Sequence, residues 1–207
     1  MSSIARMDLR LLLIRHGQAE GNLEGRFLGH RDDALTALGM DQARLLGERL
    51  AEVPLCAIIT SPLQRARITA ASLAEPHGLK PRTDERLIEQ DYGLWDGLTF
   101  EQVVAGFGSA FAEWRNLGPE ASPPRGEPLT AVIARLVPLL TEIRAAYREG
   151  ETVALVGHAS AFQALLCHVL GVQPRARWPF RLKNGSITIL EYSGGMPVLT
   201  QLSGYHA

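Results

Sequence analysis

The sequence predicts an α/β fold of three layers (α/β/α), with helices on both faces of a mainly parallel mixed sheet. Three short runs of apolar and β-branched residues, at 11–14, 55–60 and 152–156, are separated by segments whose apolar positions have helical spacing. Uniformly apolar runs are typical of strands that are covered on both faces, as in parallel sheets. Strands that alternate with helices place one helical layer on each side of the sheet.

The first strand ends abruptly at Arg15-His16-Gly17. Open α/β sheets bind their ligands in the crevice beyond the carboxyl ends of the strands. A cation, an imidazole and a glycine at this position therefore predict an anion-binding site. Residues 21–33, which are rich in Gly, Asp and Arg, are expected to form an irregular segment at the mouth of that crevice.

The two helices that flank the second strand each have a start signal. Thr36 is predicted to cap the first helix, whose core-facing residues are Leu38, Leu45, Leu46, Leu50 and Val53. Residues 61–64, Ser-Pro-Leu-Gln, predict a capping box with proline at the first position of the second helix. Arg65 and Arg67 follow in its first turns, where positive charge is unfavourable without an anion nearby. We expect Arg65 to face that anion and Arg67 to point to solvent.

The middle of the chain is expected to alternate short elements with loops. Residues 80–87 contain a short strand, and residues 89–97 form a loop in which one carboxylate could donate a proton. Residues 100–117 are predicted to be helical with a break at their two glycines, and residues 118–128 form a proline-rich surface connection. A long amphipathic helix is expected over residues 129–147.

The third buried strand ends in Gly157-His158, which repeats the placement of His16. Because the carboxyl ends of parallel strands meet at one edge of the sheet, we expect two imidazoles at one crevice. A helix is predicted from about residue 161 to residue 170. Residues 186–192 and 198–202 are predicted to close the sheet as a hairpin.

The composition fits one compact domain over residues 1–207, with residues 1–8 as a flexible N-terminus. The chain has 46% hydrophobic residues and a formal net charge of -1, so no overall field attracts nucleic acid or an anionic membrane. There is no apolar run long enough for a signal peptide or a membrane span. Cys56 and Cys167 are predicted to be small core residues, which is typical of a reducing cytoplasm. We therefore expect a cytoplasmic protein; its oligomeric state is left open.

Four segments occur in an order that resembles the histidine phosphatase superfamily, also called the phosphoglycerate-mutase-like superfamily: Arg15-His16-Gly17, residues 61–67, Glu89 and Gly157-His158. The resemblance extends from Leu9 to the Asn184-Gly185-Ser186 segment. It implies a phosphoglycerate-mutase-like fold and the phosphatase branch, whose members hydrolyse small-molecule phosphate monoesters.

The resemblance also implies a role for each matching residue. His16 is the nucleophile that takes up the phosphoryl group, and Glu89 is the general acid, with Asp91 as the rival carboxylate. The phosphate oxygens are held by Arg15, Asn22, Arg65 and His158. The cycle requires no metal and no cofactor, and the partner is a small phosphate ester.

Physical requirements agree with these roles. Planar guanidinium groups bind phosphate oxygens in a forked manner, so two arginines suit a phosphate dianion. Nearby guanidinium charges also disfavour the cationic imidazole, which keeps a ring nitrogen available for attack. A carboxylic acid near the leaving oxygen would supply the proton that the departing alkoxide needs.

Some positions depart from the family pattern or lie outside it. Ala19 stands where a hydroxyl residue is common, and Ala159-Ser160 replaces a glycine that often follows the second histidine. The first change removes one expected phosphate hydrogen bond, and neither affects the nucleophile. Three further arginines could recognise a second anionic group of the substrate but are expected to be solvent-exposed: Arg26, Arg31 and Arg125.

Other site chemistries fit less well. A metal site built from His16, His158 and Glu89 would bring a divalent cation next to two arginines. Residues 157–161, Gly-His-Ala-Ser-Ala, do not match a serine nucleophile elbow, and neither lysine follows a phosphate-binding glycine pattern. The remaining histidines are interpreted as surface or core residues: His30, His77, His168 and His206.

Two alternatives share the fold. A cofactor-dependent phosphoglycerate mutase would need a longer insertion than the segment between Trp95 and Glu127 provides. A non-catalytic module that binds phosphorylated ligands would be expected to have lost the nucleophile or the acid, and both are present here. The phosphatase is therefore the preferred hypothesis.

Overall fold

The computed structural model describes residues 7–116, 120–147 and 150–204. Within these residues the strands are β1 (Met7–Arg15), β2 (Leu55–Thr60), β3 (Arg82–Thr83), β4 (Glu151–Gly157), β5 (Ile187–Ser193) and β6 (Met196–Gly204). The α-helices are α1 (Glu20–Leu23), α2 (Ala37–Leu50), α3 (Gln64–Ala74), α4 (Phe100–Asn116), α5 (Leu129–Ala146) and α6 (Ala159–Val169).

The strands form one mixed sheet in the order β3-β2-β4-β1-β5-β6. The first four strands in this order run parallel, whereas β5 is antiparallel to β1 and β6 is antiparallel to β5. The predicted mainly parallel sheet and the closing hairpin are therefore confirmed. The prediction of one domain over residues 1–207 extends beyond the described residues and stays a prediction. The predicted flexible N-terminus is wrong at residues 7–8, which belong to β1; residues 1–6 lie outside the described residues.

Successive side chains of β1 point to opposite faces of the sheet. Leu11 and Leu13 pack into the hydrophobic cluster that includes α5 and α6, and Leu12 and Ile14 pack into the cluster that includes α2 and α3. Because a strand alternates its side chains between two faces, a strand between two helical layers must be apolar at every position. This explains the apolar run of the sequence and confirms the three layers.

Helix α2 is capped as predicted, and it faces the core through Leu46 and Leu50 as predicted. The amide of Gly39 donates to Oγ1 of Thr36 at 3.0 Å. The predicted apolar face is wrong at Leu38, whose exposed fraction is 48%. Two glycines of the helix also pack closely against other segments. A Cβ atom added to Gly39 would lie 2.0 Å from the carbonyl oxygen of Gln18, and one added to Gly47 would lie 2.4 Å from the carbonyl oxygen of Ser72. This close approach turns Leu38 outwards.

We expect Gly39→Ala to lower the free energy of unfolding by about 2 kcal/mol, because backbone atoms cannot move aside for the new methyl group. Gly106 is the matched control, since it lies on the exposed face of α4 and a methyl group added there would have no atom within 4 Å. Gly106→Ala should be neutral or slightly stabilising. Urea denaturation measures both; equal effects would contradict the close-contact explanation.

The predicted capping box at the start of α3 is wrong. Helix α3 begins at Gln64, and the amide of Gln64 donates to the carboxylate of Asp32 at 2.8 and 3.0 Å. The hydroxyl of Ser61 lies 2.7 Å from Nε2 of His158 instead. A carboxylate from a distant segment thus caps this helix. The hydroxyl of Ser61 contacts the histidine and accepts from the amide of Leu63, just before the helix, at 3.4 Å.

The central segments largely agree with the prediction. Strand β3 is only two residues long, and α4 is interrupted at Phe107, whose φ and ψ are -137° and 29°. Residues 117–119, at the start of the predicted proline-rich connection, lie outside the described residues. The part that follows packs on the 89–97 loop, because the carbonyl of Pro124 accepts from Leu94 and the amide of Glu127 donates to Asp91.

The cysteine prediction holds for one residue of two. Cys167 is buried, but Cys56 is exposed. The register between β2 and β4 shifts between Leu55 and Ala57, and this irregularity turns Cys56 out of the core. Among the described residues, no helix combines the length and the apolar character that crossing a membrane requires.

Candidate active site

The two strand-end histidines lie side by side. Strands β1 and β4 are neighbours in parallel register, with Arg15 paired to Gly157. The chain leaves both strands at the same edge, and the ring centroids of His16 and His158 are 5.0 Å apart at an interplanar angle of 60°. Helix α6 begins two residues earlier than predicted, so that His158 is its N-cap residue.

The hydrogen bond of His16 determines its tautomer. Nδ1 lies 2.6 Å from the carbonyl oxygen of Gly17, which can only accept, so Nδ1 carries the proton. Burial lowers the pKa of His16 well below its usual value, and the charges of Arg65 and Arg15 lower it further. The ring is therefore neutral near pH 7, and its Nε2 has the lone pair that a nucleophile requires.

His158 has the opposite tautomer. Its Nδ1 accepts from Nε of Arg65 at 3.3 Å, so its Nε2 is protonated and donates to the hydroxyl of Ser61. Burial, followed by the charge of Arg65, also lowers the pKa of His158 well below its usual value. The site thus contains two neutral imidazoles.

Arg65 is completely buried beneath the histidines. Its Nη1 and Nη2 donate to the carbonyls of Arg31 and Gly29 at 2.6 and 2.7 Å. Arg67, two residues later, is exposed. Their opposite orientations agree with the expectation from the helix N-terminus. The groups in contact with Arg65 all belong to the protein, because it also donates to His158 and lies 4.0 Å from the carboxylate of Asp32.

Arg15 lies on the crevice wall at the end of β1. Its Nη1 donates to the carbonyl of Leu182 at 2.6 Å, and its Nε is buried with no hydrogen-bond partner among the described residues. Burial lowers the pKa of Arg15, but a guanidinium group remains charged in proteins. An unpaired buried donor on a fixed cation favours the binding of an anion.

The carboxylate of Glu89 is held by backbone amides. It is 5% exposed; Oε1 accepts from Gln90 and Ala161 at 2.8 and 2.9 Å, and Oε2 accepts from Ser160 at 3.1 Å. Two of these amides belong to the first turn of α6, where a helix favours negative charge. Asp91, the rival carboxylate, instead accepts from the amide of Gly93 and does not line the crevice.

Arg15, His16 and Glu89 share one open crevice of about 440 Å³. Its other lining residues are Asn22, Gly25, Arg26, Phe27, Leu28, Tyr92, Phe100, Ala159, Ser160 and Asn184. Arg65 and His158 are not among them. The lining therefore combines polar groups around the histidine with the aromatic rings of Phe27, Tyr92 and Phe100.

Asn184 is a site residue that the sequence pattern did not predict. Its Nδ2 donates to Oδ1 of Asn22 at 3.1 Å and to the carbonyl of His16 at 3.2 Å. Oδ1 of Asn22 also accepts from the amide of Ala19. The polar turn that contains Asn184, just before the closing hairpin, could have indicated a site residue. Residues at the ends of strands meet at the edge of the sheet where ligands bind.

Tyr92 and Ser160 were not predicted as site residues either. Their hydroxyl oxygens are 2.7 Å apart beside Glu89, and burial raises the pKa of Tyr92, so that the phenol stays protonated. Of the three arginines considered for a second anionic group, only Arg26 lines the crevice. It is partly neutralised by Glu24, and its Nη1 donates to the carbonyl of Gly97 at 2.7 Å.

Residues 11–203 match the family model of the histidine phosphatase superfamily, branch 1. The chain belongs to this superfamily. Phosphoserine phosphatase 1 of Hydrogenobacter thermophilus is 32% identical over 94% of this chain and 92% of its own length. A 2,3-bisphosphoglycerate-dependent phosphoglycerate mutase of Methylobacterium sp. (strain 4-46) is 35% identical over 95% of this chain and 92% of its own length.

Solved structures of the histidine phosphatase superfamily have the same fold. A mycobacterial glucosyl-3-phosphoglycerate phosphatase in complex with VO3 aligns with a TM-score of 0.88 and 32% identity. The alignment covers 97% of this chain and 100% of that one. The predicted phosphoglycerate-mutase-like fold is thereby confirmed.

The individual roles that histidine phosphatase membership suggests stay predictions. Arg15 and Asn22 line the crevice where a phosphate would bind. Arg65 has three hydrogen bonds to protein groups and an ion pair with Asp32, and it lies outside the crevice lining, so it would act on a phosphate there through its charge. His158 could donate to a phosphate only by giving up its bond to Ser61.

The side chains of the site are not arranged as metal ligands. Among the described residues, no group of three or more His, Cys, Asp or Glu side chains is placed to hold a metal ion. The histidines of the site are instead paired with a carbonyl, a hydroxyl and a guanidinium.

The two neutral histidines should make the protein less stable in acid. Unfolded histidine titrates near pH 6.5, whereas both folded-state pKa values lie well below this, so the unfolded chain binds more protons as the pH falls. Between pH 7.5 and 5.5 each ring should cost about 1.4 kcal/mol of unfolding free energy. His16→Ala should remove half of this loss in urea denaturation; an unchanged loss would contradict the buried neutral ring.

Proposed function

We propose that the chain is a metal-independent phosphatase that hydrolyses small-molecule phosphate monoesters through a phosphohistidine on His16. The observation that carries this proposal is the neutral His16 ring, with the lone pair on Nε2, in one crevice with Arg15 and Glu89. The named phosphatase among its relatives supports the same reaction class.

In the first step, Nε2 of His16 attacks phosphorus and the bond to the ester oxygen breaks. Glu89 gives its proton to the departing oxygen, so an alcohol leaves in place of an alkoxide. Arg15 and Asn22 hold the phosphoryl oxygens, and the charge of Arg65 beneath them stabilises the transition state. The carbonyl of Gly17 stabilises the imidazolium through Nδ1 while the bond forms.

In the second step, water attacks the phosphohistidine and the phosphorus–nitrogen bond breaks. Glu89, now ionised, accepts the proton of the water, which regenerates the acid for the next cycle. Inorganic phosphate leaves, and His16 returns to its neutral tautomer. The cycle balances with one water consumed for each ester and requires no cofactor.

The substrate is expected to be a small phosphate ester, because the crevice holds about 440 Å³. Phosphate release should be measured for p-nitrophenyl phosphate, phosphoserine, glucosyl-3-phosphoglycerate and 3-phosphoglycerate, with and without EDTA. We expect release from at least one ester at a rate that EDTA leaves unchanged. Loss of activity in the chelator would contradict the proposal.

A phosphoglycerate mutase is the second candidate, because several relatives with 33–35% identity have that name. It would transfer the phosphoryl group back to a sugar acid and not to water. Adding 3-phosphoglycerate with a 2,3-bisphosphoglycerate primer distinguishes the two. Formation of 2-phosphoglycerate without net phosphate release would favour the mutase.

A further inference from the structure

The carbonyl of Glu89 contacts an arginine of α5 and also lies 3.0 Å from Nε2 of His30. Nη2 of Arg135 donates to the carbonyl of Glu89 at 3.0 Å, and Nη1 donates to the carbonyl of Arg86 at 2.6 Å. A planar guanidinium presents its donors in a rigid fork. It therefore holds two carbonyls of this loop in a defined position relative to the helix.

Glu127, in the segment that leads into α5, pairs with Arg135, and we call these two residues the clamp. Its Oε1 lies 2.8 Å from Nη2 of Arg135 and also accepts from the amide of Asp91 at 3.0 Å. Its backbone carbonyl accepts from Nε2 of Gln90 at 2.9 Å. The residues at and after position 89 are thus bound to the same Arg–Glu pair.

The clamp binds residues 89–91 and adds no net charge beside Glu89. The side chains of Arg135 and Glu127 are 19% and 20% exposed, so their ion pair is shielded from solvent for the most part. The guanidinium alone would add a positive charge close to the site, where it already lowers the pKa of His158. The carboxylate of Glu127 offsets that charge.

We propose that Arg135 and Glu127 are positioning residues for Glu89. This inference rests on the proposed role of Glu89 as general acid. Proton transfer requires the carboxyl group within hydrogen-bond reach of the leaving oxygen, about 2.6–3.2 Å. A displacement of about 1 Å can cost on the order of a hundredfold in rate. Since α6 holds only the side chain of Glu89, the clamp, together with the contact of His30 to the same carbonyl, sets the backbone from which that side chain projects.

A second Arg–Glu pair offers a matched control. Glu142 of α5 lies 2.6–2.7 Å from the guanidinium of Arg86, which links α5 to the same segment of the chain. Glu142 makes no described contact with residues 89–91. Glu127→Gln and Glu142→Gln therefore each remove one charge from an Arg–Glu pair. Glu142 is the more exposed of the two, at 59% against 20%, and only Glu127 contacts the segment of the acid.

The test compares leaving groups. β-Glycerophosphate expels a basic alkoxide that needs the acid, whereas p-nitrophenyl phosphate expels a stable phenolate that does not. We expect Glu127→Gln to lower kcat/KM for β-glycerophosphate by about ten- to a hundredfold and for p-nitrophenyl phosphate by less than about threefold. Glu142→Gln should change neither value. Arg135→Lys, which keeps the charge and loses the fork, should reproduce the selective loss.

The double variant separates positioning from general stability. In a Glu89→Gln background, Glu127→Gln should cause no further loss with β-glycerophosphate, because the group that it positions is already gone. Equal losses with both esters, or additive losses in the double variant, would overturn the inference alone. If Glu89→Gln itself showed no leaving-group selectivity, both this inference and the proposed acid would be overturned.

Discussion

His16→Ala is expected to lower kcat for p-nitrophenyl phosphate by about 10⁴-fold or more, since the attacking atom itself is removed. The remaining guanidinium and amide groups still bind phosphate, so KM or the affinity for inorganic phosphate should change far less. Steady-state kinetics and phosphate inhibition measure the two effects separately. The predicted pattern is a catalytic loss with retained binding.

His168→Ala serves as the control for this loss. His168 lies on the exposed face of α6 and is not among the residues that line the crevice. It should retain wild-type turnover under the same conditions. Wild-type turnover in His16→Ala would show that another group attacks phosphorus.

Glu89→Gln is expected to lower kcat/KM for β-glycerophosphate by about 10²- to 10⁴-fold, because an amide cannot give a proton to the leaving alkoxide. The loss with p-nitrophenyl phosphate should be much smaller, since its leaving group is stable without a proton. The parameter kcat/KM is chosen because it reports the first irreversible step, in which the ester bond breaks. The selectivity for the poor leaving group identifies an acid.

The substitution Glu89→Gln should also affect the thermal stability of the protein. The new amide group would face one of the backbone amides that now donate to the carboxylate, from Gln90, Ser160 or Ala161. Thermal unfolding should therefore show a small loss of stability with a cooperative transition. An equal kinetic loss for both esters in a folded variant would assign Glu89 a role other than proton donation.

The sequence predicted the features that depend on local pattern. The apolar run of β1 requires cover on both faces, and the polar residues after β1 and β4 must meet at one edge because the strands are parallel. These two features were enough to predict that His16 and His158 lie next to each other. The N-cap of α2 at Thr36 is equally local, because its partner Gly39 lies three residues away.

Features that join distant segments could not be predicted in this way. Asp32 caps a helix that begins 32 residues later, and Asn184 reaches the crevice from the turn before the last hairpin. The outward orientation of Leu38 follows from contacts of two glycines with other segments, which helical spacing alone does not encode. Such contacts depend on the packed arrangement of elements.

In the proposed mechanism His16 carries the phosphoryl group during turnover, so the phosphorylated protein can be trapped. The enzyme would be mixed with p-nitrophenyl phosphate for milliseconds, denatured in alkali, where phosphohistidine survives, and digested for mass spectrometry. We predict one phosphoryl group on the peptide that contains His16, and none in His16→Ala. Phosphate on another residue, or turnover without any phosphorylated peptide, would contradict the mechanism.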